Sequence, residues 1–508
     1  MTTSEDFLSA ASAQASTVAG CRSLAGDLAI DMLPDDVLLY IFNTYRWAFG
    51  YPSEGVCYDG RCKWPWNKFV HVCRRWRHLI FAFPGHLNLH LVCNSKTDMQ
   101  GALNTWPALP LSLSANLGTK DANADEDDII DALGHHEGLA GIHLGVCKRP
   151  QLEKCIALMQ KQFPALRSLE FEGDDEIEFV IPDAFLGGSS PLLQDIFLGD
   201  FRFPGLPKLL SSTSDLVNLN LWCFPMTGEG HMSPDAMTTC LSVLTKLRSL
   251  SLTFPLQTTQ SSSYPTDQCP PSSSHTILPA LTYLSLDGPH GYLEDLVGRI
   301  DAPLLNSGHF DFYDEPTFDT PRILRFIHRT KMSKLLGEVE VHFRGVGIRA
   351  SFRSSIGLEM FYLSFPCSGF PAQVAIVQRI HTQCPSLFSH VESLKLLDDV
   401  LEEKKWWEAI RPWQGILRPF SAVQTLHICG IAVVPHVAHI LGGLEEERAT
   451  EVFPALRTIE LGCSEQDDTS GILPLLGPFL VAHEKLEHPV VVNFSSRSLI
   501  PSTTVVLS

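Results

Sequence analysis

One six-residue word dominates the chain: an apolar residue, two free positions, a second apolar residue, one free position and a third. It reads LAGIHL at 139–144, LRSLEF at 166–171, LQDIFL at 193–198, LVNLNL at 216–221, LRSLSL at 247–252 and LTYLSL at 281–286. Weaker copies are LGEVEV at 336–341 and LEMFYL at 358–363, and the word returns as VESLKL at 391–396, VQTLHI at 423–428 and LRTIEL at 456–461. LNSGHF at 305–310 fits only with Gly308 in an apolar slot. Successive copies start 22–34 residues apart, a regularity that scattered apolar clusters would not keep. Each copy is too short to hold a core alone. Laid side by side, one strand per copy, they bury a shared apolar ridge. Similar words precede three of them, FPALRSL from Phe163, LPALTYL from Leu278 and FPALRTI from Phe453. The intervening stretches QLEKCIALMQKQ at 151–162 and PAQVAIVQRIHTQ at 371–383 have helical patterns. The expected fold class is therefore α/β, a curved solenoid over about 87–490 with a parallel sheet on its concave face and helices outside.

Positions between the ridge residues then point to the open side of the sheet. They include Ser168, Glu170, Asp195, Asn218, Asn220, Ser249, Ser251 and Ser285. Among them Phe197, Trp222, Tyr283, Lys395 and His427 are the candidates for binding a protein substrate, the aromatic ones because anchors of that kind carry interfaces. A dozen strands at about 4.8 Å spacing give a surface on the order of 55 Å long. With 38 Lys plus Arg against 57 Asp plus Glu, the formal charge is 38 − 57 = −19, which argues against nucleic acid as a partner.

Ahead of the repeats lies a denser segment at 31–84. Residues 1–30, rich in Ala, Ser and Thr, read as a flexible arm. Asp35 and Asp36 suit a helix N-terminus, and Val37, Leu38, Ile41, Phe42 and Tyr45 form one apolar face. Gly50, Pro52, Gly55, Gly60 and Pro65 interrupt the pattern. A second helical stripe runs through Phe69, Val72, Cys73, Trp76, Leu79 and Ile80, and Pro84 stops it. Residues 257–275, rich in Ser, Pro and Thr, read as a disordered loop, and 491–508 as a C-terminal cap or tail.

The segment at 33–81 resembles an F-box: Leu-Pro at Leu33 and Pro34, an apolar helix with Leu38, Ile41 and Phe42, then Val72, Cys73, Arg74, Trp76 and Leu79 in the closing Val-Cys-x-x-Trp pattern. It departs from the family in a loop insertion at about 46–65. The repeats resemble those of F-box proteins with leucine-rich repeats, as irregular members without a regular Asn after each strand. The resemblance implies a substrate receptor of an SCF-type cullin-RING ubiquitin ligase, not itself an enzyme. Its F-box would bind the adaptor subunit, and through it a cullin, using Leu33, Pro34, Leu38, Ile41, Phe42, Val72, Cys73, Trp76 and Leu79. Its repeats would bind the protein to be ubiquitinated. A repeat scaffold or inhibitor outside any ligase is the alternative.

Other chemistry finds little support. Cys57, Cys62, His71 and Cys73 lack the two tight ligand pairs of structural zinc, and His135, His136 and Glu137 are adjacent residues that do not share a helical face. No nucleophile elbow, phosphate loop or dinucleotide fingerprint occurs. No catalytic residue, metal or cofactor is expected. The early acids Glu5 and Asp6, the absence of a long apolar run and the scattered cysteines lead us to expect a chain of the cytoplasm and/or nucleus with no membrane partner.

Overall fold

The structure is a computed structural model. It describes residues 33–48, 69–83, 91–93, 110–116, 126–145, 149–173, 179–225, 230–255, 275–314, 321–331, 336–355, 359–367, 369–398, 417–418, 420–430, 433–444, 451–463, 471–485, 489–496 and 503–505. The arm expected at 1–30, and most of the insertion at 46–65 and the loop at 257–275, lie outside the described residues. Two compact units result. The first takes in Met1–Val92 and Gln100–Leu111, and the second Cys93–Met99 and Ser112–Ser508.

In the first unit, helix α1 (Asp35–Ala48) opens on Asp35 and Asp36, whose negative charge suits the positive end of the helix dipole. Helix α2 (Arg74–Ala82) starts later than the apolar stripe predicts. Residues 71–72 form a turn, and Cys73 is extended at φ −153°. Its thiol accepts a hydrogen bond from the Trp76 backbone N–H at 3.4 Å. Cys73 is thus the N-cap of α2 rather than a member of its buried stripe, because a cap leaves the helical conformation in order to reach an otherwise unpaired N–H. Arg75 joins the two segments: its guanidinium donates to the Leu33 carbonyl at 2.6 Å and pairs with Asp35 at 2.5 Å. Phe42 stacks on Phe69 at 4.8 Å and meets Trp76 edge-on at 4.6 Å, closing a small aromatic core with Leu38, Leu79 and Ile80.

The second unit is built on one large sheet. Its strands include β1 (Leu139–Gly145), β2 (Ser168–Glu172), β3 (Asp195–Gly199), β4 (Asn218–Trp222), β5 (Ser249–Thr253), β6 (Tyr283–Gly288) and β7 (Ser307–Phe312). They continue as β8 (Leu336–Arg344), β9 (Gly347–Ser354), β10 (Glu359–Pro366), β11 (Ser393–Asp398), β12 (Thr425–Cys429), β13 (Thr458–Cys463), β14 (Val491–Ser496) and β15 (Thr503–Val505). The recurring word marks the strands because its second and third apolar residues alternate onto the core face. Leu169 with Phe171, Leu219 with Leu221, Leu250 with Leu252, and Leu426 with Ile428 are all buried. The first apolar residue sits just before the strand, where a tight turn delivers the chain. Leu166, Leu281 and Leu456 each donate N–H to the carbonyl three residues back, at 3.0–3.3 Å. The three Pro-Ala words occupy these turns, with Pro where a preset φ is wanted.

From β1 to β7 each strand is parallel to its predecessor. From β11 to β14 the same holds. Between them the rule of one parallel strand per copy fails. β10, not β8, lies beside β7, and β9 runs antiparallel to both β10 and β8. β8 then stands parallel to β11. The spatial order is therefore β7-β10-β9-β8-β11, an antiparallel meander set in reverse into a parallel array. Gly308 permits the junction: it lies opposite Phe361, and a Cβ there would come within 2.7 Å of the Phe361 ring. The missing side chain in LNSGHF is filled from the neighbouring strand. The segment expected as cap or tail contributes β14, parallel to β13, and β15, antiparallel to β14.

Helices lie between many of the strands: α3 (Glu126–Gly134), α4 (Arg149–Leu158), α5 (Leu206–Ser212), α6 (Pro234–Leu241), α7 (His290–Val297), α8 (Pro321–Arg329), α9 (Phe370–Gln383), α10 (Val433–Gly442) and α11 (Ile472–Glu484). Most consecutive ones pack together, α10 and α11 most closely, where a Cβ on Gly442 would run into the Leu475 backbone. The buried Glu294 of α7 accepts the backbone N–H groups of Arg322 and Ile323 at 3.0 and 3.1 Å, capping α8 from outside. Among the described residues no helix is long and apolar enough to cross a membrane.

Candidate protein-docking surfaces

Sequence reasoning placed nine residues on a docking face of the first unit, and the structure divides them. Leu38, Phe42, Trp76 and Leu79 are buried and form the unit's own core. Leu33 and Cys73 are half-buried, and Pro34, Ile41 and Val72 are exposed. Among the described residues, the apolar surface left in solvent by α1 is Val37, Tyr40 and Ile41, with Tyr40 at 73% exposure. These lie at i, i+3 and i+4 and so share one helical face. Val72 and Phe83, at the two ends of α2, are exposed as well. Arg75 was missed as an organiser, since nothing in the periodicity reports a side chain that reaches a backbone carbonyl.

In the second unit the outward residues form continuous cross-strand rows. The central row runs His143, Glu170, Phe197, Asn220, Ser251, Ser285 and His309, each directly opposite the next. It continues through Tyr362, Ser351, Glu340, Lys395, His427, Glu460 and Asn493. Phe197, Lys395 and His427 therefore share this row, although strands β9 and β10 intervene. Tyr283 lies in the row on one side and Trp222 in the row on the other. Trp222 is 49% exposed and Tyr283 41%, whereas Phe197 is half-buried. Trp222 also lines a shallow apolar pocket with Leu198, Phe201, Phe203, Leu206, Leu221 and Phe224.

Electrostatics divide the face. On β2–β7 the outward charged residues are Glu170, Glu172, Asp195, Asp287 and Asp311, joined by His309 and without Lys or Arg. His143 of β1 bonds Glu170 at 3.0 Å, and this hydrogen bond holds the Glu170 carboxyl below its usual value. Asp195 accepts from Asn218. Asp287 stands opposite Asp311 in the register. Burial first, then the neighbouring charge of Asp311, pushes the Asp287 carboxyl up to about 6, against a hydrogen bond from Thr253 at 3.2 Å. His309 lies 3.7 Å from Asp287 and stacks on Tyr362 at 4.1 Å.

On β8–β11 the charges compensate each other. Arg353 pairs with Glu338 at 3.1 Å and Glu340 at 3.2 Å, and Lys395 pairs with Glu338 at 2.9 Å. Burial works against ionisation of Glu338, but Lys395 and Arg353 together hold its carboxyl below the ordinary range. Arg349 lies over the Tyr362 ring at 4.6 Å. Further along, His427 bonds Glu460 at 2.7 Å. Arg349 and Arg353 were also missed, because GIRASFRS carries no copy of the recurring word.

The residues weighed as metal ligands do not gather. His71 is exposed, Cys73 caps a helix, and His136 contacts the Gln162 carbonyl at 2.9 Å. Cys57 and Cys62 lie outside the described residues. Among the described residues no group of three His, Cys, Asp or Glu is placed to hold a metal.

No protein-family model matches the chain, and no curated protein matches it. Solved structures do. A leucine-rich repeat-containing protein, LegL7 from Legionella pneumophila, is similar at 12% identity and a TM-score of 0.26, over 78% of this chain and 98% of that one. A TLR13–ssRNA13 complex is similar at 11% identity and a TM-score of 0.27, over 73% of this chain and 45% of that one. The parallel-dominated sheet, the recurring word on its core face and the interleaved helices describe an α/β leucine-rich-repeat solenoid.

Proposed function

We propose that the chain is a non-catalytic substrate receptor of an SCF-type cullin-RING ubiquitin ligase. In this reading the first unit docks on the adaptor subunit and the open face of the solenoid holds a protein substrate. The observation that carries it is the face of α1 left in solvent, Val37, Tyr40 and Ile41, on a unit whose own core is already closed by Phe42, Phe69 and Trp76. A module this small with an apolar helical face outside its core is suited to packing against a partner's helices. The F-box-like order of residues supports the adaptor as that partner. Catalysis would be proximity: an acceptor lysine held near a ubiquitin thioester gains effective concentration.

The test is gel filtration of the chain mixed with purified adaptor subunit. A stable complex is expected, lost in Ile41→Asp and Tyr40→Asp, whose exposed positions leave the fold intact by circular dichroism. Trp76→Asp is unsuitable as a docking variant, since it places a charge in the aromatic core. A folded wild-type chain that forms no complex would favour a repeat scaffold outside any ligase.

A further inference from the structure

We infer that the open face of β2–β7 is built for a basic, extended segment of the partner protein, with Trp222 and Tyr283 stacking on its cationic side chains and Asp287 with Asp311 taking one of them. The inference deepens the substrate-receptor reading and rests on it for the use of this face. Three independent features converge. The outward charged positions of these strands bear carboxylates and one histidine, His309 beside Asp287, with no Lys or Arg, so the fixed charge is negative and complementary to a cation. The two aromatic rings most exposed on this face stand within the same strip, 49% and 41% in solvent, and guanidinium or ammonium groups bind such rings face-on. Asp287 and Asp311 are direct register partners, two like charges side by side that a cation between them would relieve. On β8–β11, by contrast, Arg353 and Lys395 already fill that role for Glu338 and Glu340.

The strip sets the size of the ligand. Six strands span about 24 Å at about 4.8 Å per step, which an extended chain covers with about seven residues at roughly 3.3–3.6 Å each. A nucleic acid is the wrong charge for it, and an acidic segment would meet repulsion along its whole length.

The experiment titrates the full chain, without the adaptor, against three fluorescein-labelled 12-residue peptides. One alternates Arg and Lys with Ser, and in the others Gln or Glu replaces the basic residues. The basic peptide is expected to bind at least about tenfold more tightly than the Gln peptide and to weaken as salt rises. Asp287→Asn combined with Asp311→Asn, and separately Trp222→Ala, should each weaken it about fivefold or more, with melting temperature confirming the fold. Glu460→Gln, on the same row but beyond the meander, should change it less than about twofold. Equal binding of the basic and Gln peptides overturns the inference, as does equal loss in the Glu460 variant. Failure of the ligase reading is seen separately: basic-peptide binding without an adaptor complex leaves this inference standing, and the reverse result removes it alone.

Discussion

Along β2–β7 the outward charges are carboxylates and a histidine, with aromatic rings in solvent between them; along β8–β11 Arg353 and Lys395 sit against Glu338 and Glu340. The two stretches share a sheet and a central row, so their outward residues face the same side although the strand directions differ. Much of the difference comes from β9, with Lys395 of β11 and Arg344 of β8 adding to it. In β2–β7 the outward residues lie in the recurring word or directly after it, where Glu172, Trp222, Asp287 and Asp311 stand, and none of them is Lys or Arg. β9 is an antiparallel strand outside that repeat, and it brings Arg349 and Arg353 onto a face that otherwise lacks arginine in β2–β7. Breaking the array's regularity is thus also how the molecule changes the chemistry of its open face.

The largest expected effect falls on the seam between the stretches. Phe361 is 1% exposed and fills the space Gly308 leaves, so Phe361→Ala should cost about 3–5 kcal/mol in urea unfolding. Gly308→Val, which forces a side chain against that ring, should cost about 1–3 kcal/mol. A combination with Phe361→Leu should recover part of this loss, which would establish that the two positions share one volume. Independent, additive costs would break the picture of a fitted seam.

Next comes the compensated stretch. Arg353→Met leaves Glu338 and Glu340 without one cation between them and should cost about 1–3 kcal/mol at low salt. It should also let the basic peptide bind further along the row, because it makes this stretch resemble β2–β7. If its affinity for that peptide is unchanged, the contrast between the stretches is not electrostatic.

A smaller effect separates them by pH. Asp287 holds its proton up to about 6 in the folded chain, above the carboxylate value of an unfolded one. The folded state therefore binds more protons between about pH 4 and 6, and stability falls as pH rises through that window. Asp287→Asn should match wild type near pH 4 and exceed it at pH 8 by on the order of 1 kcal/mol, a figure reduced for the solvent that reaches the group. Thermal melts at the two pH values would check this, and a gain at pH 4 as large as that at pH 8 would contradict it. Smallest of all, Trp222→Ala should change stability by less than about 0.5 kcal/mol, since half the ring is already in water.

How far the sequence could be read follows from what a pattern encodes. The recurring word places residues on a face, so the buried partners Leu169 and Phe171 and the outward Glu170 and Phe197 were all legible. It says nothing of neighbours. LGEVEV and LEMFYL carry the same pattern and run in the same direction, yet their order in the sheet is reversed, and only the unmarked β9 between them makes that possible. In the first unit, helical periodicity found the apolar stripe but not its interruption. A thiol that accepts a backbone N–H looks, in sequence, like one more small apolar residue, and so Cys73 was read as part of the stripe. The same periodicity named Leu38, Phe42 and Trp76 without distinguishing residues that close a core from residues such as Ile41 that remain outside it.

The reversed meander has a consequence for how the array can be assembled and divided. In a simple repeat protein each unit leans on the one made just before it, and units can be added or removed singly. Here β7 and β8 follow each other in the chain but stand with two strands between them. A growing polypeptide that has reached residue 344 leaves the far edge of β7 waiting for a partner still to be made. Residues 347–366 therefore act as a keystone: the units before them and after them become one sheet only when that piece arrives, and a cut at this place separates no self-sufficient halves.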